Sequence, residues 1–299
     1  MGYIKTATEV CILKIIGGPA SQLLASRTAR ALGTEPVLSE FNRFPDGELY
    51  LRIADEIENE KVTLIQSTPT DSDFVALLQL IDACEEAAEI NVVIPYMGYA
   101  RQDKKFKPGE PISARAIARC INADRVFTIN IHEKSVLEHF PCPARNLDAA
   151  NLIGTYIASF GLENPILVAP DEGARVLVKN VASGYGFDHD HLQKTRLSGD
   201  AVVIKTKNLD VTGRHVVLVD DMIATGGTMA ESIRMLKAQG AIDVHLACVH
   251  PVLTRNAALR LFNAGVKDII ATDTLEKAQS KLSVAPLVAE ALSGNSTLS

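Results

Sequence analysis

The chain has 299 residues, a formal charge of −6, 47% hydrophobic and 22% charged residues, which allows two folded domains of ordinary size and excludes a disordered chain. No overall basic field is present to attract a nucleic-acid backbone, so an anionic ligand must be held by local cations, backbone N–H groups or metal. Five scattered cysteines with no Cys-x-x-Cys pair suit reduced thiols better than a disulfide framework or a zinc site.

Strands are predicted at Val10–Ile16, Val62–Ile65, Val92–Ile94 and Arg125–Ile129, with helical patterns at Phe74–Ala88 and Ile112–Ile121 among them. The second half repeats the alternation. Ala149–Phe160 reads as a helix, and Ile166–Ala169, Val202–Ile204 and His215–Val219 as strands. Thr228–Gln239 follows as a helix, then Val244–Val249 and Asp268–Ala271 as strands. In Thr228–Gln239, Met229, Ile233 and Leu236 fall on one face, and Gly240 stands where a helix end favours glycine. Continuous apolar strands alternating with helices predict an α/β fold with mainly parallel sheets covered on both faces. A seam near Cys142–Asp148 divides the alternation into two tandem, similar domains, 1–147 and 148–299, the chain's end expected to pack back on the first. No apolar run reaches the ~18 residues that cross a bilayer. The expected setting is the cytoplasm, with neither membrane nor nucleic acid as partner.

The strongest local signal is the run from His215 to Ile233. A buried strand is expected to end at Val219, followed by two adjacent carboxylates, Asp220 and Asp221. A small loop, Ala224, Thr225, Gly226, Gly227 and Thr228, then opens an amphipathic helix. Glycines let successive N–H groups curl inward, and the helix N-terminus adds partial positive charge. Threonine hydroxyls add donors, while the paired acids accept hydrogen bonds from sugar hydroxyls. The pattern points to a phosphorylated sugar. It is neither a Walker loop nor a Gly-x-Gly-x-x-Gly dinucleotide turn.

Three further patches carry chemistry. Asn42–Glu48 places an aromatic, Phe44, beside Asp46, Gly47 and Glu48, a combination able to stack on a purine and bond its edge. Pro95–Lys105 is a strand-end loop whose Arg101, Gln102 and Asp103 can grip phosphate or base. His132 follows a predicted strand as a candidate metal ligand. Taken singly, each also suits an ordinary turn, a solvated basic loop or a structural histidine.

The loop from Asp220 to Thr228 resembles the phosphoribosyl-pyrophosphate loop of type I phosphoribosyltransferases. Together with the Phe-x-Asp-Gly-Glu patch, the Tyr-Ala-Arg-Gln-Asp run and the strand-end histidine, in this order, the chain resembles the ribose-phosphate pyrophosphokinase family over almost its whole length. The resemblance implies two tandem phosphoribosyltransferase-like domains. It further implies transfer of the pyrophosphoryl group of ATP to the 1-hydroxyl of ribose 5-phosphate, with Mg2+ as cofactor. By the same resemblance, Phe44, Asp46, Glu48, Arg101, Gln102 and Asp103 form the ATP side. Asp220, Asp221, Ala224, Thr225, Gly226, Gly227 and Thr228 hold ribose 5-phosphate. His132 and Asp171 contact metal, and Lys194 and Arg196 are catalytic, on a loop that closes over ATP. A homo-oligomer with the ATP site near a subunit interface is also implied. Family members often carry an acid two residues before the histidine; this chain has Asn130. The rival readings are a phosphoribosyltransferase that consumes the activated sugar, and a non-catalytic regulatory relative.

Overall fold

The computed structural model describes residues 13–198, 201–206 and 210–294; the side chains of 194–198 and 201–206 lie outside that description. The described residues fall into two compact units. One holds 13–128, 133–145 and 288–294; the other holds 129–132 and 146–287.

The first unit begins with β1 (Leu13–Gly17), α1 (Gln22–Ala31) and β2 (Pro36–Val37), then a hairpin of β3 (Ser39–Arg43) and β4 (Leu49–Ile53). β5 (Lys61–Ile65), α2 (Asp71–Asp82), β6 (Glu89–Ile94), α3 (Ser113–Ala118), β7 (Arg125–Ile129) and β8 (Ala144–Leu147) follow. The main sheet runs β2-β1-β5-β6-β7-β8, and β1, β5, β6 and β7 pair in parallel. Its strands read as unbroken apolar runs because helices cover both faces: Val62, Leu64, Ile65, Val92 and Val93 are fully buried. α2 starts where Thr70 and Asp73 form a reciprocal capping box, which satisfies two otherwise unpartnered N–H groups.

The second unit holds α4 (Ala150–Ala158), β9 (Ile166–Ala169), α5 (Arg175–Ser183), β10 (Asp188–Ser198) and β11 (Ala201–Thr206). It continues through β12 (His215–Met222), α6 (Gly227–Ala238), β13 (Asp243–His250), α7 (Ala257–Asn263), β14 (Ile269–Thr272) and β15 (Ser280–Leu282). The last helix, α8 (Ala285–Leu292), closes the described chain. The sheet order is β11-β10-β9-β12-β13-β14-β15. A core of Val216, Leu218, Val244 and Leu246 meets Ile233 and Leu236 of α6 and Leu261 of α7.

The two sheets share one plan. In each, the first strand is flanked by the second on one side and by a later strand on the other. Chain direction across the sheet therefore reverses between β1 and β5, and again between β9 and β12. In open α/β sheets such reversal points open a crevice at the strands' carboxyl ends, where ligands bind.

Several elements differ from the sequence expectation, the helix expected at Phe74–Ala88 running Asp71–Asp82 among them, and two of the differences bear on the site. β12 does not stop at Val219; it carries Asp220, Asp221 and Met222, because pairing with β13 continues through Asp220 with Cys248 and Met222 with His250. The stretch around Lys194 and Arg196, expected as a loop, follows the backbone of β10, which pairs with β9 over Asp188–His191 and then antiparallel with β11. Residues 10–12 of the first expected strand lie outside the described residues.

Candidate active site

In the second unit, β9 and β12 lie side by side at the reversal point, and their carboxyl ends carry Asp171 and the Asp220–Asp221 pair. Neighbouring residues of a strand face opposite sides, so the two adjacent acids meet different surroundings. Asp221 Oδ2 lies 2.7 Å from His132 Nδ1. Burial alone would raise the Asp221 carboxyl, but the hydrogen bond and charge of His132 outweigh it and hold the group below its ordinary value. Asp220 goes the other way. Burial first, then the charge of Asp221 and, more weakly, that of Asp171, push it well above the usual carboxylate range. Asp171 is exposed, and its Oδ1 accepts from the N–H groups of Gly173 (2.9 Å) and Ala174 (3.3 Å), which shapes the turn into α5.

The loop after β12 is shaped by its carbonyls. Ile223 O accepts from Leu253 N–H at 2.8 Å, Ala224 O from Thr254 N–H at 3.0 Å, and Thr225 O from the Arg260 guanidinium at 2.6 Å. The N–H groups of the first turn of α6 are those a helix leaves without an intrahelical partner. No side chain caps this helix, because its cap residue is Gly226, at φ 69°. An uncapped helix start beside exposed Thr225 and Thr228 is suited to an anion. The two glycines differ. Gly226 is buried in the left-handed region, and a Cβ there would also press on Leu261 at 3.2 Å. Gly227 has ordinary φ, and a Cβ there would meet only Thr225 Oγ1, at 4.0 Å. Nothing in the fold requires glycine at 227.

Lys194 and Arg196 lie on β10, paired in register with Ile204 and Val202; their side chains lie outside the described residues. Among the described residues, no group of three or more His, Cys, Asp and Glu side chains is arranged to hold a metal by itself.

In the first unit, Phe44 is half exposed at the tip of the β3–β4 hairpin, edge-on to Tyr50 at 6.0 Å. Asp46 Oδ1 accepts from Glu48 N–H at 3.2 Å, so that carboxylate helps close the turn. Arg101 is exposed on the loop after β6, while Gln102 accepts from Ser113 and is tied to the start of α3. Asp103 is half-buried on the same loop. The N-terminus of α2 links the two patches: Arg43 donates to Ser72 Oγ at 2.6 Å, and the Tyr99 hydroxyl donates to the Asp71 carboxylate.

Sequence reasoning missed several residues that build the second unit's site. Arg260 fixes the loop from α7. His250, at the end of β13, is fully buried, and burial pushes its imidazole down to about 4 against the opposing pull of Asp221. Nothing local in the sequence marks either residue.

A sequence profile described as the N-terminal domain of ribose phosphate pyrophosphokinase matches residues 13–124, and a phosphoribosyl transferase domain profile matches 140–280. The chain belongs to the ribose-phosphate pyrophosphokinase family. It is 92% identical over 294 residues to a family member from Methanosarcina mazei, covering 98% of this chain and all of that one. It is 49% identical over 275 residues to one from Methanopyrus kandleri, covering 90% and 94% of the two chains. Its structure is similar to a crystal structure of phosphoribosylpyrophosphate synthetase from Mycobacterium smegmatis, with a TM-score of 0.84 and 31% identity over 95% of this chain and 99% of that one. The family's fold, two phosphoribosyltransferase-like domains in tandem, accounts for the shared plan of the two sheets. No helix among the described residues is long and apolar enough to cross a membrane.

Proposed function

We propose that the chain transfers the pyrophosphoryl group of ATP to the 1-hydroxyl of ribose 5-phosphate, giving 5-phosphoribosyl 1-pyrophosphate and AMP. The carrying observation is the β12–α6 junction, where an acid pair on a strand end leads directly into an uncapped helix N-terminus. The loop N–H groups and the hydroxyls of Thr225 and Thr228 hold the 5-phosphate. Asp220 and Asp221 accept hydrogen bonds from ribose hydroxyls, which turns the sugar so that its 1-hydroxyl faces the donor. Ala224, Gly226 and Gly227 keep the loop small enough for backbone to reach the phosphate.

Phe44, Asp46, Glu48, Arg101, Gln102 and Asp103 form the ATP side, the ring stacking on the base and Arg101 meeting phosphate. Lys194 and Arg196 offset the charge that spreads over the transferring group. Magnesium suits the carboxylates gathered here: Asp220 is driven toward its protonated form by burial and by the charges of Asp221 and Asp171, negative charge that a small divalent cation on carboxylate oxygen would offset. His132 and Asp171 would hold it, and bound magnesium would supply charge neutralisation at the phosphates. A carboxylate on one ring nitrogen, as Asp221 is on His132, fixes the aim of a metal-binding imidazole. The protein works as a homo-oligomer with the ATP side near a subunit interface.

The test is AMP formation from ATP and ribose 5-phosphate, with and without magnesium. The reading requires stoichiometric AMP in the complete mixture. A transferase would make none, and would instead release pyrophosphate from the activated sugar when given a base.

A further inference from the structure

The peptide that leads to His132 is held by a residue whose every hydrogen-bonding group is engaged. Asn130 has φ 38°, a left-handed conformation that asparagine tolerates better than most residues. Its N–H donates to Leu147 O at 2.9 Å. Its carbonyl accepts from His250 Nε2 at 3.3 Å. Its side-chain Oδ1 accepts from Ala149 N–H at 2.8 Å, and its Nδ2 donates to Asp148 Oδ1 at 2.9 Å. Chemistry fixes the orientation of this amide, since a peptide N–H can only donate and a carboxylate can only accept. The next residue is held as well, Ile131 N–H donating to Asn146 Oδ1 at 2.8 Å.

The partners are themselves anchored. Asp148 Oδ1 also accepts from Ala150 N–H at 2.9 Å, and its Oδ2 accepts from Asn180 Nδ2 at 3.2 Å, joining the start of α4 to α5. His250 bonds Thr274 through Nδ1 at 2.9 Å. Its own carbonyl accepts from Ile223 N–H at 3.1 Å, two residues beyond Asp221. One buried histidine therefore touches both backbone segments that carry the His132–Asp221 pair.

We propose that Asn130 is a positioning residue for the reaction, an amide latch that sets His132 against Asp221. Opposite Asp148, the latch needs an amide and not an acid. A carboxylate at 130 would keep the bond from Ala149 but would face Asp148 with no proton to share, replacing a hydrogen bond by like-charge repulsion. This inference rests on the reading of His132 as a site residue, and extends it to the residue that aims it.

The test compares Asn130→Asp, the exchange Asn130→Asp with Asp148→Asn, and His132→Ala. In the exchange, the amide placed at position 148 donates to the carboxylate placed at position 130, so that bond returns with its direction reversed, while the bond that Asp148 Oδ1 accepts from Ala150 N–H is given up. Asn130→Asp is expected to lower kcat on the order of 10–100-fold, as loss of an orienting partner does, with KM for ribose 5-phosphate little changed. The exchange is expected to recover about tenfold or more of that loss through coupling of the two sites. Native turnover in Asn130→Asp beside an inactive His132→Ala would overturn the latch alone. So would a folded exchange variant no better than Asn130→Asp. Full turnover in His132→Ala would overturn the reading of His132 itself.

Discussion

His132 Nδ1 and Asp221 Oδ2 stand 2.7 Å apart, both in the second unit and 89 positions apart in the chain. The pair gives the acid doublet its asymmetry: Asp221 is held ionised by His132, while its neighbour Asp220 is pushed toward protonation. Replacing Asp221 by Asn removes the charge and frees the imidazole. Turnover is expected to fall on the order of 10–100-fold, with a higher magnesium requirement and a circular dichroism spectrum like that of the native chain. Steady-state rates over a magnesium series measure this.

The glycines of the proposed sugar-phosphate loop offer a way to separate folding from binding. Gly226→Ala places a Cβ in the left-handed region against Leu261, and a loss of about 1–3 kcal/mol of stability is expected. Gly227→Ala meets no crowding from the protein, so stability is expected to stay within about 0.5 kcal/mol. Ribose 5-phosphate affinity should nonetheless fall at least about tenfold, because the added methyl occupies the path of the phosphate. Melting curves and titration calorimetry on both variants test the distinction.

Asp220 makes stability depend on pH in metal-free protein. Its folded-state value is raised above the unfolded one, so between the two the folded state binds more protons, and stability falls as pH rises through that window. Asp220→Asn removes the titrating group. In chelator, the variant is expected to lose less stability than the native chain between the mildly acidic and the mildly alkaline range, while losing sugar-phosphate binding. Thermal melts across pH, with and without magnesium, provide the measurement.

Lys194→Ala is expected to lower turnover on the order of 100-fold or more, as removal of a charge-stabilising donor does, while ribose 5-phosphate binding survives. Comparing kcat with the calorimetric affinity reads both effects. Near-native turnover would take Lys194 out of the chemistry.

Much of this architecture was legible from the residues. The β-branched run His215–Val219 declares itself because a strand covered on both faces is apolar throughout, and the Met229, Ile233, Leu236 face of α6 because burial on one face leaves a period in the sequence. The loop between them was legible because glycine and adjacent acids have local consequences. What escaped is non-local. β12 continues past Val219 because β13 supplies partners for Asp220 and Met222, and no local rule reveals a partner strand. The short β3–β4 hairpin and β8 carry mixed polar sequences, their registers set by pairing. Asn130, Asp148 and His250 are distant in sequence and meet through hydrogen bonds, which leave no periodicity. Asn130 stood out in the sequence only as a departure from the family; its two side-chain hydrogen bonds, one accepted from Ala149 N–H and one donated to Asp148, give the structural reason for an amide there.

The most direct test of the central claim is a calorimetric titration of ribose 5-phosphate into the magnesium-supplemented protein, with ribose as the unphosphorylated control. Saturable binding of the phosphorylated sugar, absent for ribose and strongly weakened in Gly227→Ala, is the expected result. A correctly folded native chain that gives only the heat of dilution would contradict the assignment of the β12–α6 loop as the sugar-phosphate site.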